Sequence, residues 1–477
     1  MNIRLTAMTI LRDGKLLRRA LYLRVLGLVV LPVFASVFLF PALSGAAELP
    51  ADQAKNARAS LPVELSQGLM GWYDAGDEAS LTVEGATVTA WKDRSPAGHD
   101  LNRLPGINGP LRAVIHGVSV VESAGNRALL SAALDETTEA VTVQALIKTA
   151  PGLSPILSFN TQGKPEFVAA GWTTGARPTF YSASGNSGAQ QEVEDSQWHI
   201  LTFIRDKSTR RFYVDGVFAG EAKSKDETLS VSHFHLFAYH TAATFQGKLA
   251  ELLIFRTAQT PEEVAKTTAY LREKWKPLFA ANESTLTTFV GNSMTTGMFS
   301  GSGKTWSYQT AGQLPAMTRW FNVSLGGITT QRLQQLAPQQ IDGLLSLTSG
   351  NAVLVFWEGT NDLVVNKSDA EAAHEAIKQF CLARRKAGWK KIVVLTVLPR
   401  KSGADFETRR IKLNQLLREH FAEYSDALVD LDNSHLIGDN GNQDNREYFV
   451  DGVHLSAKGN EIVAGLVAAK LAPLVAP

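Results

Sequence analysis

The stretch Thr285–Gly297, TLTTFVGNSMTTG, decides which fold class the second half of the chain adopts. It begins with an apolar run typical of a buried strand, and Ser293 follows that run in a Gly-Asn-Ser triplet. The same triplet recurs at 185–187, inside the Gly- and Ser-rich stretch YSASGNSGAQ. The triplet alone does not tell a nucleophilic serine from a loop serine, so the choice depends on what surrounds each copy.

Apolar strand-like runs alternate with helical stretches from residue 285 onward. The runs are TLTTFVG, RWFNVSLGG, AVLVFWEGTND, KIVVLTVLP and ALVDLD, and stretches such as DAEAAHEAIKQFCLARRKAGW separate them. This alternation predicts right-handed crossovers and a parallel sheet covered by helices on both faces. We therefore expect a three-layer, flavodoxin-like α/β domain. In such sheets the chemistry lies at the carboxyl ends of the strands, which is where Ser293 stands.

The preceding part of the chain has a different period. Between residues 62 and 253, short alternating runs such as ATVTAW, AVTVQALIK and HFHLFAY are broken by Gly, Asp and Ser. This pattern predicts an all-β sandwich. Asp215 and Gly216 stand between apolar runs and favour a tight primed turn. A helix follows, with Thr260 as its N-cap and Pro261 at its first position.

The first residues are predicted to be an export signal. Six Lys and Arg side chains precede the apolar run VLGLVVLPVFASVFLFPAL, and small residues allow cleavage after Ala47. The run is long enough that an uncleaved membrane anchor is the alternative. Either way, we expect the remaining chain to act outside the cytoplasm, secreted or periplasmic. The predicted segments are 1–47 signal or anchor, 48–61 linker, 62–276 β domain, 277–284 linker and 285–477 α/β domain.

Composition excludes some partners and sites. The formal net charge is +1 with 19% charged residues and no basic stripe, so nucleic acid is not an expected partner. The single cysteine, Cys381, allows no intrachain disulfide, and its helical context favours a buried small hydrophobe over a nucleophile. Cys/His pairs with zinc spacing and H-E-x-x-H are absent from the sequence, so we expect no metal and no cofactor.

Chemically useful residues follow the strand-like runs in order. Ser293 comes after the first, Gly327 after the second and Asn361 after the third, and Asp451 and His454 precede the last helix. A serine hydroxyl needs a base to become a nucleophile, and histidine can accept its proton near neutral pH. A developing oxyanion needs fixed N–H donors. The set therefore has the residue types of a serine hydrolase.

This ordered set resembles the SGNH (GDSL-type) hydrolase family over about residues 285–474. The resemblance implies that Ser293 is the nucleophile, His454 the base and Asp451 its orienting carboxylate. It also implies that the oxyanion donors are the backbone N–H groups of Ser293 and Gly327 and the side-chain amide of Asn361.

The chain departs from the family pattern at one position. The usual Asp between Gly and Ser is Asn292 here, which has the same shape without the charge. Two other motifs are excluded: G-x-S-x-G does not occur, and GMFSGSGKT has five residues instead of four between the glycines of a Walker A loop. We expect that stretch to be a loop on the substrate side of Ser293.

A second Asp-x-x-His pair competes with the first. Asp432 and His435 follow the ALVDLD strand and could lie near the same sheet edge. Asp451 and His454 are favoured because Gly452 allows a tight turn, a helix follows, and HLSAKG matches the family.

The β region resembles concanavalin-A-like jelly rolls of the laminin-G/pentraxin type over about residues 62–276. The Trp-His strand, the YVDG hairpin and the closing strand–helix unit carry this resemblance. Members often bind carbohydrate, which makes glycan binding possible, and calcium binding is possible too, although no Asp/Asn loop indicates it. We expect Trp72, Trp91 and Trp198 to be core residues. We expect the histidines to be surface or hydrogen-bonded residues and not ligands: His233, His235 and His240.

Together these features predict an exported serine esterase that hydrolyses acyl esters, above all acetyl esters, on a polysaccharide. A lipid esterase or lysophospholipase is a second interpretation, and a glycan-binding adhesion protein with an inactive esterase fold is a third. An acetyl pocket should be small, whereas a lipid site should present a long apolar groove. The expected partner is an acylated polysaccharide or another ester, and a membrane only if the N-terminal segment is uncleaved.

Overall fold

The computed structural model describes residues 61–475, with gaps at 126, 132–133, 135, 151–153, 161–165, 171–176, 183–184, 190, 194–195, 226, 240–241, 244, 280–283, 302 and 316–317. The predicted export signal, nearly all of the first linker, His240 and part of the second linker lie outside the described residues. All described residues belong to one compact unit. The domain bounds given above stay a prediction.

The first part of the chain is built from short, mainly antiparallel strands. Its described strands are β1 (Leu69–Asp74), β2 (Leu81–Glu84), β3 (Thr87–Trp91), β4 (Leu101–Arg103), β5 (Leu111–Ile115), β6 (Val118–Ala124), β7 (Leu129–Ser131), β8 (Glu136–Thr138), β9 (Ala140–Thr149), β10 (Pro155–Asn160), β11 (Glu166–Ala169), β12 (Thr179–Ser182), β13 (Gly185–Gly188), β14 (Gln191–Glu192), β15 (Trp198–Asp206), β16 (Thr209–Val214), β17 (Val217–Lys223), β18 (Leu229–Val231), β19 (His233–Leu236), β20 (Ala238–Tyr239), β21 (Ala242–Ala243) and β22 (Gln246–Phe255). Two single 3₁₀ turns, Val63–Leu65 and Glu78–Ser80, flank β1.

The core of this β part lies around its two longest strands. β9 pairs with β15 on one side and with β22 on the other, and β1 extends the sheet beyond β22. Trp72, Trp91 and Trp198 are 7%, 0% and 7% exposed, so each is a core residue as predicted. None of the three therefore offers an open aromatic face to a glycan.

The local predictions at the end of the β part are confirmed. Asp215 and Gly216 have φ of +55° and +83°, the two positive values of a type I′ turn between β16 and β17. Helix α1 (Pro261–Lys274) begins after Thr260, which forms a reciprocal capping box with Glu263. The short helix α2 (Lys276–Phe279) follows.

The second part of the chain alternates strands and helices. Its strands are β23 (Thr285–Gly291), β24 (Thr318–Ser324), β25 (Asn351–Trp357), β26 (Lys391–Leu395) and β27 (Ala427–Val429). Its helices are α3 (Trp306–Ala311), α4 (Thr330–Gln340), α5 (Thr360–Val364), α6 (Ala370–Ala387), α7 (Ala404–His420) and α8 (Ala457–Val475), with 3₁₀ turns at Asp342–Leu347, Phe421–Glu423, Leu431–Asn433 and Asn442–Asp444. Among the described helices, none is both long enough and apolar enough to span a bilayer.

These strands form a parallel sheet in the order β24-β23-β25-β26-β27, the 2-1-3-4-5 order of flavodoxin-like folds. Successive side chains of β25 enter opposite core layers, as the period of a strand requires. Leu354 and Phe356 pack in the layer that contains α6 and α7 residues, while Val353 and Val355 pack in the layer of α8. The predicted fold class, an all-β jelly roll followed by a three-layer α/β domain, is confirmed.

The β part also contributes a strand to this sheet. β14 runs antiparallel to β24, with Gln191 opposite Val323 and Glu192 opposite Asn322. The Asn322 side chain donates a hydrogen bond to Glu192 Oε2 over 2.9 Å. The sheet therefore has six strands, and its edge next to β24 is covered from the β part.

A buried ionic cluster joins the same two parts of the chain. Arg319 on β24 lies 2.7 Å from Asp215 in the β16–β17 turn, and Asp215 lies 2.7 Å from His199 Nδ1. All three residues are at most 3% exposed. Burial acts to raise the pKa of Asp215, but Arg319 and then His199 outweigh it and hold that pKa well below its usual value. Asp215 is therefore a buried carboxylate, balanced by a cation from the other part.

Candidate active site

Three of the predicted residues follow neighbouring strands at one sheet edge. The last residue of β23, Gly291, lies beside the last residues of β24 and β25 in the parallel register. The loops that begin at this edge carry Ser293, Gly327 and Asn361. The topology thus brings loops to the same edge of the sheet although Ser293 and Asn361 are 68 positions apart in the sequence.

Ser293, His454 and Asp451 form a continuous hydrogen-bonded path. Ser293 Oγ lies 2.9 Å from His454 Nε2, and His454 Nδ1 lies 2.8 Å from Asp451 Oδ2. The His454 side chain is 15% exposed. With the proton on Nδ1, the ring donates to Asp451 and accepts from the Ser293 hydroxyl, which is the arrangement of a base next to a nucleophile.

A tight turn fixes the acid relative to the ring. Asp451 Oδ1 accepts hydrogen bonds from the backbone N–H groups of Val453 and His454, at 2.9 and 2.8 Å, and Gly452 between them has φ +86°. Partial burial acts to raise the pKa of Asp451, but the bonds from His454 and Val453 lower it to about 2. Asp451 is therefore ionised at neutral pH and held in one orientation.

The turn that carries Ser293 is equally constrained. Asn292 Oδ1 accepts the backbone N–H of Met294 at 2.9 Å, which bends the chain around the serine. A Cβ at Gly291 would lie 2.5 Å from the Trp357 carbonyl oxygen, so this position requires glycine. The close contact between β23 and β25 thus sets where the serine loop begins.

Asn292 also contacts an acid that the sequence reasoning did not single out. Its Nδ2 donates to Glu358 Oε2 over 2.9 Å, and the Gly359 N–H donates to the same oxygen over 3.3 Å. Glu358 is 2% exposed, and its pKa is raised well above the usual value by burial and, second, by the nearby Asp362. The sequence feature that could have identified Glu358 is its position as an acidic residue directly after an apolar strand, at the start of EGTND.

The loop that carries Gly327 passes beside the serine, and Asn361 is hydrogen-bonded to that loop. Gly327 has φ +73° in an exposed loop, and a Cβ on its neighbour Gly326 would lie 3.9 Å from the Ser293 Cβ. Asn361 is buried, and its Nδ2 donates to the Ile328 carbonyl over 2.7 Å. The loop with Gly327 is thereby fixed beside Ser293 and tied to Asn361.

A small cavity of about 20 Å³ adjoins Ser293. Met294, Trp357, Val397 and Leu398 supply apolar wall, and Arg400 supplies a cation. A cavity volume of roughly 10–15 Å³ is enough to hold one water molecule. The cavity therefore accepts a group of only about one or two heavy atoms.

The rival acid–histidine pair is not assembled. Asp432 instead pairs with Arg410 and with Arg418, whose Nη2 lies 2.6 Å away. The His435 side chain is 87% exposed and lies 3.2 Å from Asp439. Both members of this pair are engaged elsewhere, whereas His454 is hydrogen-bonded to both Asp451 and Ser293.

The remaining candidates do not take part in the hydrogen-bonded path from Ser293 to Asp451. Ser187 is a buried residue of β13, opposite Phe180 of β12. His233 and His235 have ring centroids 5.2 Å apart, and within the described residues no group of three or more His, Cys, Asp or Glu is arranged to hold a metal. Cys381 is buried, and burial raises the pKa of its thiol, which makes it a poor nucleophile.

Several solved structures align with parts of this chain. A GDSL lipolytic protein from Veillonella parvula is 14% identical, with 39% of this chain and 97% of that chain covered and a TM-score of 0.33. Domain 4 of AbnA, a GH43 extracellular arabinanase from Geobacillus stearothermophilus, is 16% identical, covering 42% and 98%, with a TM-score of 0.32. A mutant of the Geobacillus acetyl-xylooligosaccharide esterase Axe2 is 12% identical, covering 40% and 95%, with a TM-score of 0.31. Each aligns with less than half of this chain.

One curated protein matches a shorter region. The N-acylneuraminate cytidylyltransferase of Escherichia coli O18:K1:H7 (strain RS218 / NMEC) is 29% identical over 151 residues, which is 31% of this chain. The chain spans about a third, 34%, of that relative.

Family models match both parts of the chain. Residues 123–265 match the concanavalin A-like lectin/glucanases superfamily, and residues 289–462 match the GDSL-like lipase/acylhydrolase family. The second match contains Ser293, Asn361 and the pair Asp451 and His454. The chain thus combines a β region that matches the concanavalin A-like lectin/glucanases superfamily with an α/β region that matches the GDSL-like lipase/acylhydrolase family, and the second match identifies a carboxylic ester hydrolase.

Proposed function

We propose that this protein is an exported serine esterase that removes acyl groups, above all acetyl groups, from a polysaccharide. The observation that carries the proposal is the hydrogen-bonded path from Ser293 through His454 to Asp451, with steps of 2.9 and 2.8 Å. A serine whose hydroxyl is already hydrogen-bonded to a correctly oriented base is prepared for attack on an ester carbonyl.

The first chemical step uses all three residues. Ser293 Oγ attacks the ester carbonyl carbon while His454 Nε2 takes its proton. The imidazolium that forms lies against Asp451, which is ionised and stabilises the new positive charge. Because Asp451 also holds the Nδ1 proton in place, Nε2 is the nitrogen that faces the serine.

The tetrahedral intermediate places negative charge on the former carbonyl oxygen. We assign the Ser293 and Gly327 N–H groups and the Asn361 amide as its hydrogen-bond donors. Asn361 is held by its bond to the Ile328 carbonyl, so the donors are fixed before substrate arrives. In other hydrolases, losing one such donor costs about 10²- to 10³-fold in turnover.

Collapse of the intermediate completes the first half-reaction. His454 returns its proton to the leaving alcohol, and the acyl group remains on Ser293. Water then enters, gives a proton to His454 and attacks the acyl-enzyme, and the acid leaves as Ser293 regains its proton. Each of these steps uses groups of the chain itself.

The size of the cavity favours a short acyl group. A cavity of about 20 Å³ beside Ser293 can hold the methyl of an acetyl group, whereas a lipid chain needs a long apolar groove. The lipid esterase interpretation is therefore the weaker one. The polysaccharide part of the proposal rests on the concanavalin A-like region and the predicted export signal.

The third interpretation, a glycan-binding protein with an inactive esterase fold, is disfavoured by the intact path from Ser293 to Asp451. Glycan binding by the β region would also have to use residues other than the three buried tryptophans.

Hydrolysis of 4-nitrophenyl esters tests the proposal. We expect kcat/KM for the acetate to exceed that for the decanoate, and we expect acetate release from acetylated xylan. Ser293→Ala should lower kcat by about 10³-fold or more, while Ser187→Ala keeps activity. A higher kcat/KM for the decanoate would favour the lipid esterase, and undiminished activity of Ser293→Ala would refute the mechanism.

A further inference from the structure

Arg400 is a cation in the active-site cavity that forms no ion pair with the described residues. Arg400 lies in the loop after β26 and lines the same cavity as Ser293. Its Nη1 donates to Thr360 Oγ1 over 3.3 Å, and among the described residues no carboxylate lies within ion-pair distance of its guanidinium. Arg319, the buried arginine of β24, is by contrast paired with Asp215.

The guanidinium still has donors to offer. Its Nε is buried and has no hydrogen-bond partner in the part of the chain that the structure describes. An arginine presents its N–H groups as a planar fork that fits a carboxylate through two parallel hydrogen bonds. A buried donor left without an acceptor is costly unless a ligand or water fills the place. Arg400 therefore has both the charge and the geometry of an anion-binding group.

The side chain is held in position by its surroundings. Thr360 accepts one of its hydrogen bonds, and the ring of the buried Phe406 lies 5.9 Å from the guanidinium carbon. Arg400 is also partly exposed, so a group outside the cavity can reach it. Little conformational freedom would be lost when an anion binds to a side chain held in this way.

The acids around Arg400 do not take this role. Burial lowers the pKa of Arg400, and the nearby Asp451 acts weakly in the opposite direction. The Asp451 oxygens are hydrogen-bonded to His454 and Val453. Glu358 lines the same cavity and its Oε2 accepts from Asn292, while its buried Oε1 has no hydrogen-bond partner among the described residues and therefore makes no hydrogen bond to Arg400. An anion brought by the substrate is the partner that remains for Arg400.

We propose that Arg400 binds a carboxylate carried by the ester substrate, which makes acylated acidic sugars the preferred substrate class. This inference rests on the proposed esterase function. Because Arg400 and Ser293 share one small cavity, the carboxylate must lie within a few atoms of the ester carbonyl. A hexuronate ring acylated on one hydroxyl satisfies this, with the acetyl methyl in the cavity and the ring carboxylate at its open side.

A pair of matched substrates tests the inference. Methyl glucuronoside and methyl glucoside, each carrying one acetyl group on the same hydroxyl, differ only in the carboxylate. We expect kcat/KM for the glucuronoside to be about 10- to 100-fold higher, the range for a hydrogen bond to a charged group. In Arg400→Gln the ratio of the two values should fall close to one. Lys401→Gln, which removes an exposed charge one residue later, should keep the ratio of the unmodified protein.

A ratio measured within one variant separates anion binding from general damage to the triad. Arg400→Lys should give an intermediate ratio, because it keeps the charge but not the fork. A second substrate pair, 4-nitrophenyl hemisuccinate and 4-nitrophenyl pentanoate, carries the carboxylate on the acyl group. If Arg400 determines the preference within this pair but not within the sugar pair, the bound carboxylate belongs to the acyl group and the acidic-sugar class is refuted.

If the unmodified protein hydrolyses both sugar acetates with similar kcat/KM, or if Arg400→Gln keeps the preference, Arg400 is not the anion site. If Arg400→Gln fails to fold, inhibition of 4-nitrophenyl acetate hydrolysis by added sugars tests the same proposal. Inhibition by glucuronate but not by glucose supports an anion site at Arg400, and equal inhibition by the two sugars contradicts it. Absence of hydrolysis of any ester would instead refute the proposed function.

Discussion

Asn292 Nδ2 donates a hydrogen bond to Glu358 Oε2 over 2.9 Å, and Asn292 directly precedes Ser293. The aspartate usual at this position in the family that the sequence resembles would place a second carboxyl group against Glu358. The amide removes that conflict and still accepts the Met294 N–H through its oxygen. Asn292 and Glu358 are therefore matched to each other, and together they support the turn that aims Ser293.

The first prediction tests this match. Asn292→Asp should lower kcat/KM by about 10-fold or more, and the loss should grow as pH rises, because two facing carboxyl groups repel once both ionise. Glu358→Gln introduced into the same chain should restore activity, since it returns one neutral member to the pair. Equal activity of Asn292→Asp and the unmodified protein from about pH 5 to about pH 9 would show that the match is unimportant.

The second prediction concerns stability and pH. Because the pKa of Glu358 is raised in the folded protein, the folded state keeps this proton at pH values where the unfolded chain has lost it. The contribution of Glu358 to the free energy of unfolding is therefore largest below the ordinary glutamate pKa and falls as pH rises toward the folded pKa.

Glu358→Gln removes this titration and keeps the acceptor for Asn292. We expect the free energy of unfolding, measured by urea denaturation, to fall less steeply between about pH 5 and about pH 8 in Glu358→Gln than in the unmodified protein. Parallel curves for the two proteins would mean that Glu358 is ionised in the folded state throughout this range.

The third prediction concerns the buried ion pair between the two parts of the chain. Arg319→Met should lower the free energy of unfolding by about 3–5 kcal/mol, because it leaves the Asp215 carboxylate buried without its main cation. Adding Asp215→Asn should recover much of this loss, and asparagine tolerates the positive φ of that turn. Lys378→Met, which breaks an exposed pair with Glu423, is the control and should change the free energy of unfolding far less, because solvent screens exposed ion pairs. Additive effects of the two buried substitutions would contradict the coupling.

The fourth prediction links the β part to the chemistry. Arg177 donates from Nη2 to the Ser324 carbonyl over 2.5 Å, and Ser324 ends β24 just before the loop with Gly327. Arg177→Met should lower kcat by roughly 10- to 100-fold with little change in KM, since a displaced oxyanion donor acts in the transition state. Arg112→Met removes an exposed arginine of the β part and should leave kcat unchanged. A change in KM alone would assign Arg177 to substrate binding instead.

The sequence predicts much of the fold because the decisive patterns are local. The apolar run before Ser293 and the alternation of β25 side chains between two layers follow from strand periodicity. The Asp215–Gly216 turn and the Thr260 cap depend on residues close together in the chain. Patterns of this kind depend on residues within about ten positions of one another, so they can be recognised without knowing the tertiary structure.

Contacts between distant segments could not be predicted in the same way. β14 has two residues and no alternation, so nothing in its sequence indicates that it pairs with β24. Arg319 and Asp215 are 104 positions apart and become partners only through that packing. The roles proposed for Glu358 and Arg400 depend on their burial and on their hydrogen-bond and ion-pair partners, and a sequence shows neither burial nor partners.

The central claim is that Ser293 is the nucleophile, and covalent labelling tests it most directly. The folded protein is incubated with a fluorophosphonate probe, and the modified residue is located by peptide mass spectrometry. The account predicts a single adduct on Ser293, absent from Ser293→Ala, strongly reduced in His454→Ala and retained in Ser187→Ala. An adduct on another residue, or no adduct on Ser293 in protein shown to be folded, would contradict it.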